Sequence, residues 1–209
     1  MFHDRSAAGE LLAEAVAKLV AGQRCRVYGL ARGGVVVAHR VAERLRAPLD
    51  VLVACKVGAP GQPEYAVGAV AEGGGVYWDG EALQALALNQ VWCENAAREV
   101  AAEVGRRTLR YREHPLDVEP GVLSIVVDDG IATGSTVMAA LRGLVGLGAT
   151  RRAVGTPVIA REALGLLRGE AEWVAALESP QPFTAVGAHY VQFDPVADQE
   201  LLRALGRAA

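Results

Sequence analysis

Aromatic side chains are scarce, at 5% of the 209 residues, and there are only three cysteines. A core so short of rings must be built from Ala, Val and Leu; hydrophobic residues make up 52% of the chain, as in an ordinary α/β protein. Cys25, Cys55 and Cys93 are odd in number and lack metal-ligand spacing, which points to a reducing compartment with each thiol a small buried hydrophobe. The histidines are dispersed too, so no protein-bound metal is expected. No stretch approaches eighteen uninterrupted apolar residues, and from Asp4 onward charges interrupt any leader-like pattern, so a cytoplasmic protein without a membrane span is expected. Positive charge is not in excess. A net charge of −3 gives no reason to expect nucleic acid as partner, although a few local donors can still hold a small anion.

What is present alternates between strand-like and helix-like patterns. Residues 6–21 read as a helix with Leu11, Leu12, Ala15, Leu19 and Val20 on one face. A strand at 25–30, a helix at 35–45 and a nearly continuous apolar run at 49–56 follow; the last reads as a strand buried on both faces. Further strands are expected at 122–129, 151–160 and 171–179, with helices at 135–148 and 161–169 between them. This order argues for an α/β fold, a parallel sheet flanked by helices on both faces. Residues 57–120 interrupt it: a Gly/Pro-rich loop, a hairpin with 76–78 as its second strand, and a long helical stretch over 81–112 broken near Asn89. Trp92, Ala96, Val100 and Val104 recur there at helical spacing, and Arg106, Arg107, Arg110 and Arg112 read as a solvated face paired with Glu99, Glu103 and Glu113. The segment 1–56 plus 121–178 is then the core, 57–120 an inserted helical and hairpin hood, and 179–209 a C-terminal strand and helix that complete the hood.

The segment "VVDDGIATGST" ends an apolar strand in Asp128 and Asp129, and Thr133, Gly134, Ser135 and Thr136 open a helix. Unpaired amides at a helix start suit a phosphate. Carboxylates are acceptors only, so the pair calls for hydroxyls or a cation. Phosphate at one end of the loop and two hydroxyls at the other describe a ribose 5-phosphate. The same residues would also serve a plain turn and helix cap.

The segment resembles the 5-phosphoribosyl 1-pyrophosphate (PRPP) motif of the type I phosphoribosyltransferases. That resemblance implies that Asp128 and Asp129 face the ribose hydroxyls and that Ala132, Thr133, Gly134, Ser135 and Thr136 wrap the 5-phosphate. It implies a pyrophosphate loop of unusual backbone conformation at "ARGG", with Arg32, Gly33 and Gly34, and a basic residue at Lys56, which would otherwise be a strand-end lysine with its head in water. A flexible lid is implied at 58–66, where Glu64 and Tyr65 are the members able to contribute chemistry. The implied activity is transfer of 5-phosphoribose from PRPP to a nitrogen nucleophile such as a nucleobase, with Mg²⁺ carried on the pyrophosphate. Phe183, Val186 and Phe193 stand where purine-salvage relatives stack the base, but the acid and lysine that read a purine oxo group have no counterpart, so no purine is implied. Trp92 and Trp173 read as packing residues. A PRPP-sensing regulator of the same fold is the alternative, and a homodimer would be in keeping with the fold.

Overall fold

The computed structural model describes residues 1–207; Ala208 and Ala209, the last of the expected 179–209 segment, lie outside it. Helix α1 (Arg5–Val20) starts where the Asp4 carboxylate accepts from the Ala7 amide at 2.8 Å. Its buried stripe is Ala8, Leu12, Val16 and Val20, one residue to a turn. Leu11 and Leu19, expected on the buried face, fall off that stripe and are 58% and 45% exposed. Strand β1 (Cys25–Leu30), helix α2 (Gly33–Leu45) and strand β2 (Leu49–Leu52) follow.

The run 49–56 is not one strand. It breaks at Val53, whose amide donates to the Glu72 carboxylate at 2.9 Å while its carbonyl accepts from the Glu72 amide at 3.1 Å. The chain then leaves the core sheet for an antiparallel one made of β3 (Ala54–Ala59), β4 (Gln62–Ala71) and β5 (Gly75–Trp78). Gly/Pro residues expected to form a loose lid at 58–66 are instead the tip of the β3–β4 hairpin, with irregular register around Gly58 and a turn at Pro60–Gly61. Helices α3 (Gly80–Ala85) and α4 (Gln90–Tyr111) come next, and the break expected near Asn89 is the cap of α4: its side chain accepts from the Trp92 amide at 2.9 Å.

The core resumes with β6 (Leu123–Val127), α5 (Ser135–Gly146), β7 (Arg151–Val158), α6 (Arg161–Leu167) and β8 (Val174–Glu178). All five core strands run parallel in the order β2-β1-β6-β7-β8. Side chains alternate across the sheet, as a strand buried on both faces requires. Val27, Ile125 and Ala153 meet α1 and α2, whereas Tyr28, Val126 and Val154 meet α5 and α6. A third core joins the antiparallel sheet to α4 through Trp92, Ala96, Val100 and Val104, and to the closing helix α7 (Asp198–Ala204). Trp173 packs against the first face of the core sheet.

The strand expected near 185–193 is a 3-10 turn at Val186–His189 followed by an isolated bridge between Tyr190 and Phe2. Its backbone bonds go to the N-terminal residues, with Phe2 and His189 paired at 2.7 Å and Val191 and Phe2 at 2.8 Å, so no sheet edge is used.

The basic run on α4 divides. Arg106 and Arg107 bond Glu103 and Arg110 bonds Asp198, but Arg112 is 3% exposed rather than solvated. It ion-pairs with Glu72, lies 3.9 Å from Asp50, and donates to the carbonyls of Val51 and His114 at 2.7 Å. This one guanidinium joins β2, the antiparallel sheet and the end of α4. Replacing Arg112 by Ala leaves the enclosed Glu72 carboxylate without its cation and is expected to cost about 3–5 kcal/mol, read as a lowered midpoint in urea unfolding.

Candidate functional site

Strands β1 and β6 are neighbours, with Gly29 opposite Val127, yet beyond them the chain departs in opposite directions, to β2 on one side and β7 on the other. Such a reversal opens a crevice at the carboxyl ends of the strands, and it sets the loops 30–34 and 128–136 side by side. The approach is close enough to require glycine. A Cβ on Gly34 would stand 2.6 Å from the Val127 carbonyl oxygen and 3.0 Å from the Asp128 Cα, and one on Gly33 would run into the Asp129 carboxylate. The Ala31–Arg32 peptide in this loop is cis.

Asp128 and Asp129 sit in the mouth of the crevice. Burial pushes the Asp128 carboxyl well above the ordinary range, and the adjacent Asp129 charge adds to the shift; the positive charge of Lys56 opposes it. Asp129 has a partner that the sequence did not reveal. Arg5, in the first turn of α1, donates from Nε to its Oδ2 at 2.6 Å, with both side chains about one-eighth exposed (12% and 15%). The same guanidinium donates to the Asp194 carbonyl at 2.8 Å and lies 3.8 Å from the centre of the Phe193 ring. Tyr190 stacks on Phe193 and donates its hydroxyl to the Asp129 carbonyl at 2.6 Å. Burial raises the Tyr190 phenol, which keeps it a donor. Arg5 lies 124 residues from Asp129, and no local pattern marks such a pairing.

The loop that follows is ordered. Gly134 takes φ +79° and turns the chain into α5, a conformation glycine adopts without strain. The Thr133 and Ser135 hydroxyls are 3.1 Å apart; Ala132 and Thr133 are exposed and Thr136 half-buried. Together with the first amides of α5 they form a cradle of donors.

The other candidates are placed less uniformly. Lys56 is an exposed residue of β3 rather than the end of a core strand, because of the break at Val53, but its charge reaches Asp128. Arg32 turns toward α7, its guanidinium 3.6 Å from the Asp198 carboxylate. Val186 packs directly on Gly130, next to the acidic pair, and Phe183 stacks on His189 with ring centres 5.7 Å apart. Glu64 and Tyr65 stand exposed near the hairpin tip, apart from any bonded cluster among the described residues.

An acid whose folded pKa is raised favours folding while it is protonated, and that advantage is lost as pH rises from the ordinary carboxylate value through the raised one. Asp128→Asn is therefore expected to stabilise the fold at neutral pH, with the gain shrinking to nothing below pH 3.8; urea unfolding of both proteins at the two pH values measures it.

A family model described as the phosphoribosyl transferase domain matches residues 3–180. A Mycobacterium tuberculosis protein, provisionally named a phosphoribosyl transferase, is 38% identical over the whole chain, which spans about half (47%) of that relative's length. Among solved structures, TT1426 from Thermus thermophilus shares 43% identity, with coverage of 100% of this chain and 99% of that one and a TM-score of 0.81. A purine phosphoribosyltransferase from Pyrococcus horikoshii has the same fold at 13% identity, covering 91% and 93% of the two chains with a TM-score of 0.51. With a core sheet of this order, an acidic pair at its reversal point and a family match over most of its length, the chain belongs to the type I phosphoribosyltransferase family.

Proposed function

We propose that this protein transfers 5-phosphoribose from PRPP to a nitrogen nucleophile, a nucleobase or related amine, and releases pyrophosphate. The observation that carries the reading is the convergence, at one point of the sheet, of an acidic pair, the loop of hydroxyls and bare amides that follows it into α5, and a glycine loop pressed against the two acids. In this reading the Ala132–Thr136 loop holds the 5-phosphate. Asp129, one oxygen committed to Arg5, offers the other to a ring hydroxyl, and Asp128 takes the neighbouring hydroxyl. Gly33, Gly34 and Lys56 face the pyrophosphate, with Arg32 close to the same loop.

During transfer the C1–oxygen bond to pyrophosphate breaks, a C1–nitrogen bond forms, and the nitrogen gives up a proton. Positive charge gathers on the ring beside the carboxylates, and negative charge gathers on the leaving group beside the amides and Lys56. Mg²⁺ would travel on the pyrophosphate oxygens and neutralise part of their charge. The enclosed Asp128 and the Arg5-bound Asp129 suit a sugar diol better than a protein-held ion. Three buried, unbridged cysteines support a cytoplasmic setting.

Calorimetry with Mg²⁺–PRPP, followed by pyrophosphate release across a panel of bases and amines, tests the reading. Binding without consumption by any of them would instead make the protein a PRPP sensor. Absence of binding would remove both. Asp129→Asn is expected to lower turnover about a hundredfold, the scale of one preorganised contact, without unfolding the chain. Arg5→Gln is expected to weaken PRPP binding about tenfold by freeing the Asp129 carboxylate to turn; titration calorimetry reads it.

A further inference from the structure

In the transfer described above, the proton given up by the attacking nitrogen needs a base. Neither acid of the pair is suited to take it. Asp129 is engaged by Arg5, and Asp128 is enclosed and reluctant to ionise. The C-terminal segment brings another group to the same place. Val186 and His189 are the first and last residues of the 3-10 turn, and side chains three apart in such a turn lie on one side of it. Val186 packs directly on Gly130, the residue after the acidic pair, so the turn presents His189 on the side that faces the crevice. The Tyr190 hydroxyl, bonded to the Asp129 carbonyl, anchors the turn there.

The His189 ring is held on two sides. Its Nδ1 lies 3.4 Å from the Glu178 carboxylate at the end of β8, and Phe183 stacks on it with 25° between the planes. Phe183 in turn packs against the cluster that contains Ile131 of the 128–136 loop. Burial raises the Tyr190 phenol, and the charges of Asp129, Asp128 and Glu178 raise it further, which sets Glu178 close to the crevice as well. A proton on Nδ1, drawn toward Glu178, leaves the Nε2 lone pair free to accept another.

We propose that His189, oriented by Glu178, is the base that takes the proton of the acceptor nitrogen; the assignment rests on the phosphoribosyl-transfer reading. As the nitrogen lone pair forms the C1–nitrogen bond, the C1–oxygen electron pair leaves on pyrophosphate and the N–H proton passes to Nε2. The imidazolium that results faces the Glu178 charge and returns its proton to water once the product leaves. A base at this point selects acceptors that have a proton to give, namely flat heterocycles with a ring N–H, which also suit the apolar wall of Val186 and Phe183. A pyridine-type nitrogen, as in nicotinate, carries no such proton.

Formation of the ribosylated acceptor from Mg²⁺–PRPP and a panel of N–H heterocycles, run beside calorimetry with Mg²⁺–PRPP alone, tests this in the full chain. His189→Gln is expected to bind PRPP as the wild type does while kcat falls about a hundredfold, the lower end of what a positioned base supplies. Glu178→Gln should lower kcat about tenfold, the scale of one hydrogen bond to a charged group. His189→Ala should lose as much as His189→Gln and recover in part with added imidazole, which leaves the wild-type rate unchanged. A urea midpoint for each variant separates loss of the base from loss of the fold. Wild-type turnover by His189→Gln, a loss of PRPP affinity that accounts for the loss of rate, or a wild-type protein that accepts nicotinate alone would each overturn the assignment and leave phosphoribosyl transfer standing. A protein that consumes PRPP with no acceptor at all would remove both.

Discussion

Two consecutive carboxylates at the end of a buried strand repel each other and lose hydration, and much of the neighbouring structure offsets that cost. Arg5 reaches from the first helix to neutralise one of them, and Lys56 leans on the other from the hairpin sheet. Gly33 and Gly34 surrender their side chains so that a second loop can close down on both. The result is an asymmetric pair, one acid clamped by a guanidinium, the other enclosed and reluctant to ionise. A polyhydroxyl ligand bearing a phosphate would complete both, accepting from one side and donating to the other.

The insertion is held in register by a different electrostatic knot. Arg112 ties the antiparallel sheet to the last turn of α4 and to the edge of the core, and Arg207 adds a second cation to Asp50 at 3.0 Å. Because Lys56 is carried by that insertion, its position relative to Asp128 depends on a contact made on β2, well away from the crevice. Packing, charge and site geometry are thus linked through a few buried arginines rather than through aromatic bulk, consistent with a chain so poor in rings.

The core alternation and the loop at 128–136 were legible because both are local. Apolar runs set the strands, and the order of acid, glycine and hydroxyl residues sets the turn. What could not be read was set by partners distant in the chain. The run 49–56 has the same apolar texture whether it continues or changes sheets, and the break at Val53 is decided by Glu72, 19 residues on. Arg112 reads as one more surface charge until Glu72 and Asp50 fold around it. The segment near 190 alternates like a strand, but its bonds go to Phe2 and His3 at the other end of the chain. Arg5 and Tyr190 escaped for the same reason, since a single charge and a single phenol carry no spacing.

Tyr190 lies 61 residues downstream of Asp129, and Arg5 was made long before either. A nascent chain that has released its core sheet from the ribosome therefore still exposes a half-covered acidic pair, with α1 in place but its aromatic shelf missing. The crevice matures only once the stretch around Phe193 emerges, so competence is reached late in synthesis even though the sheet beneath is made earlier.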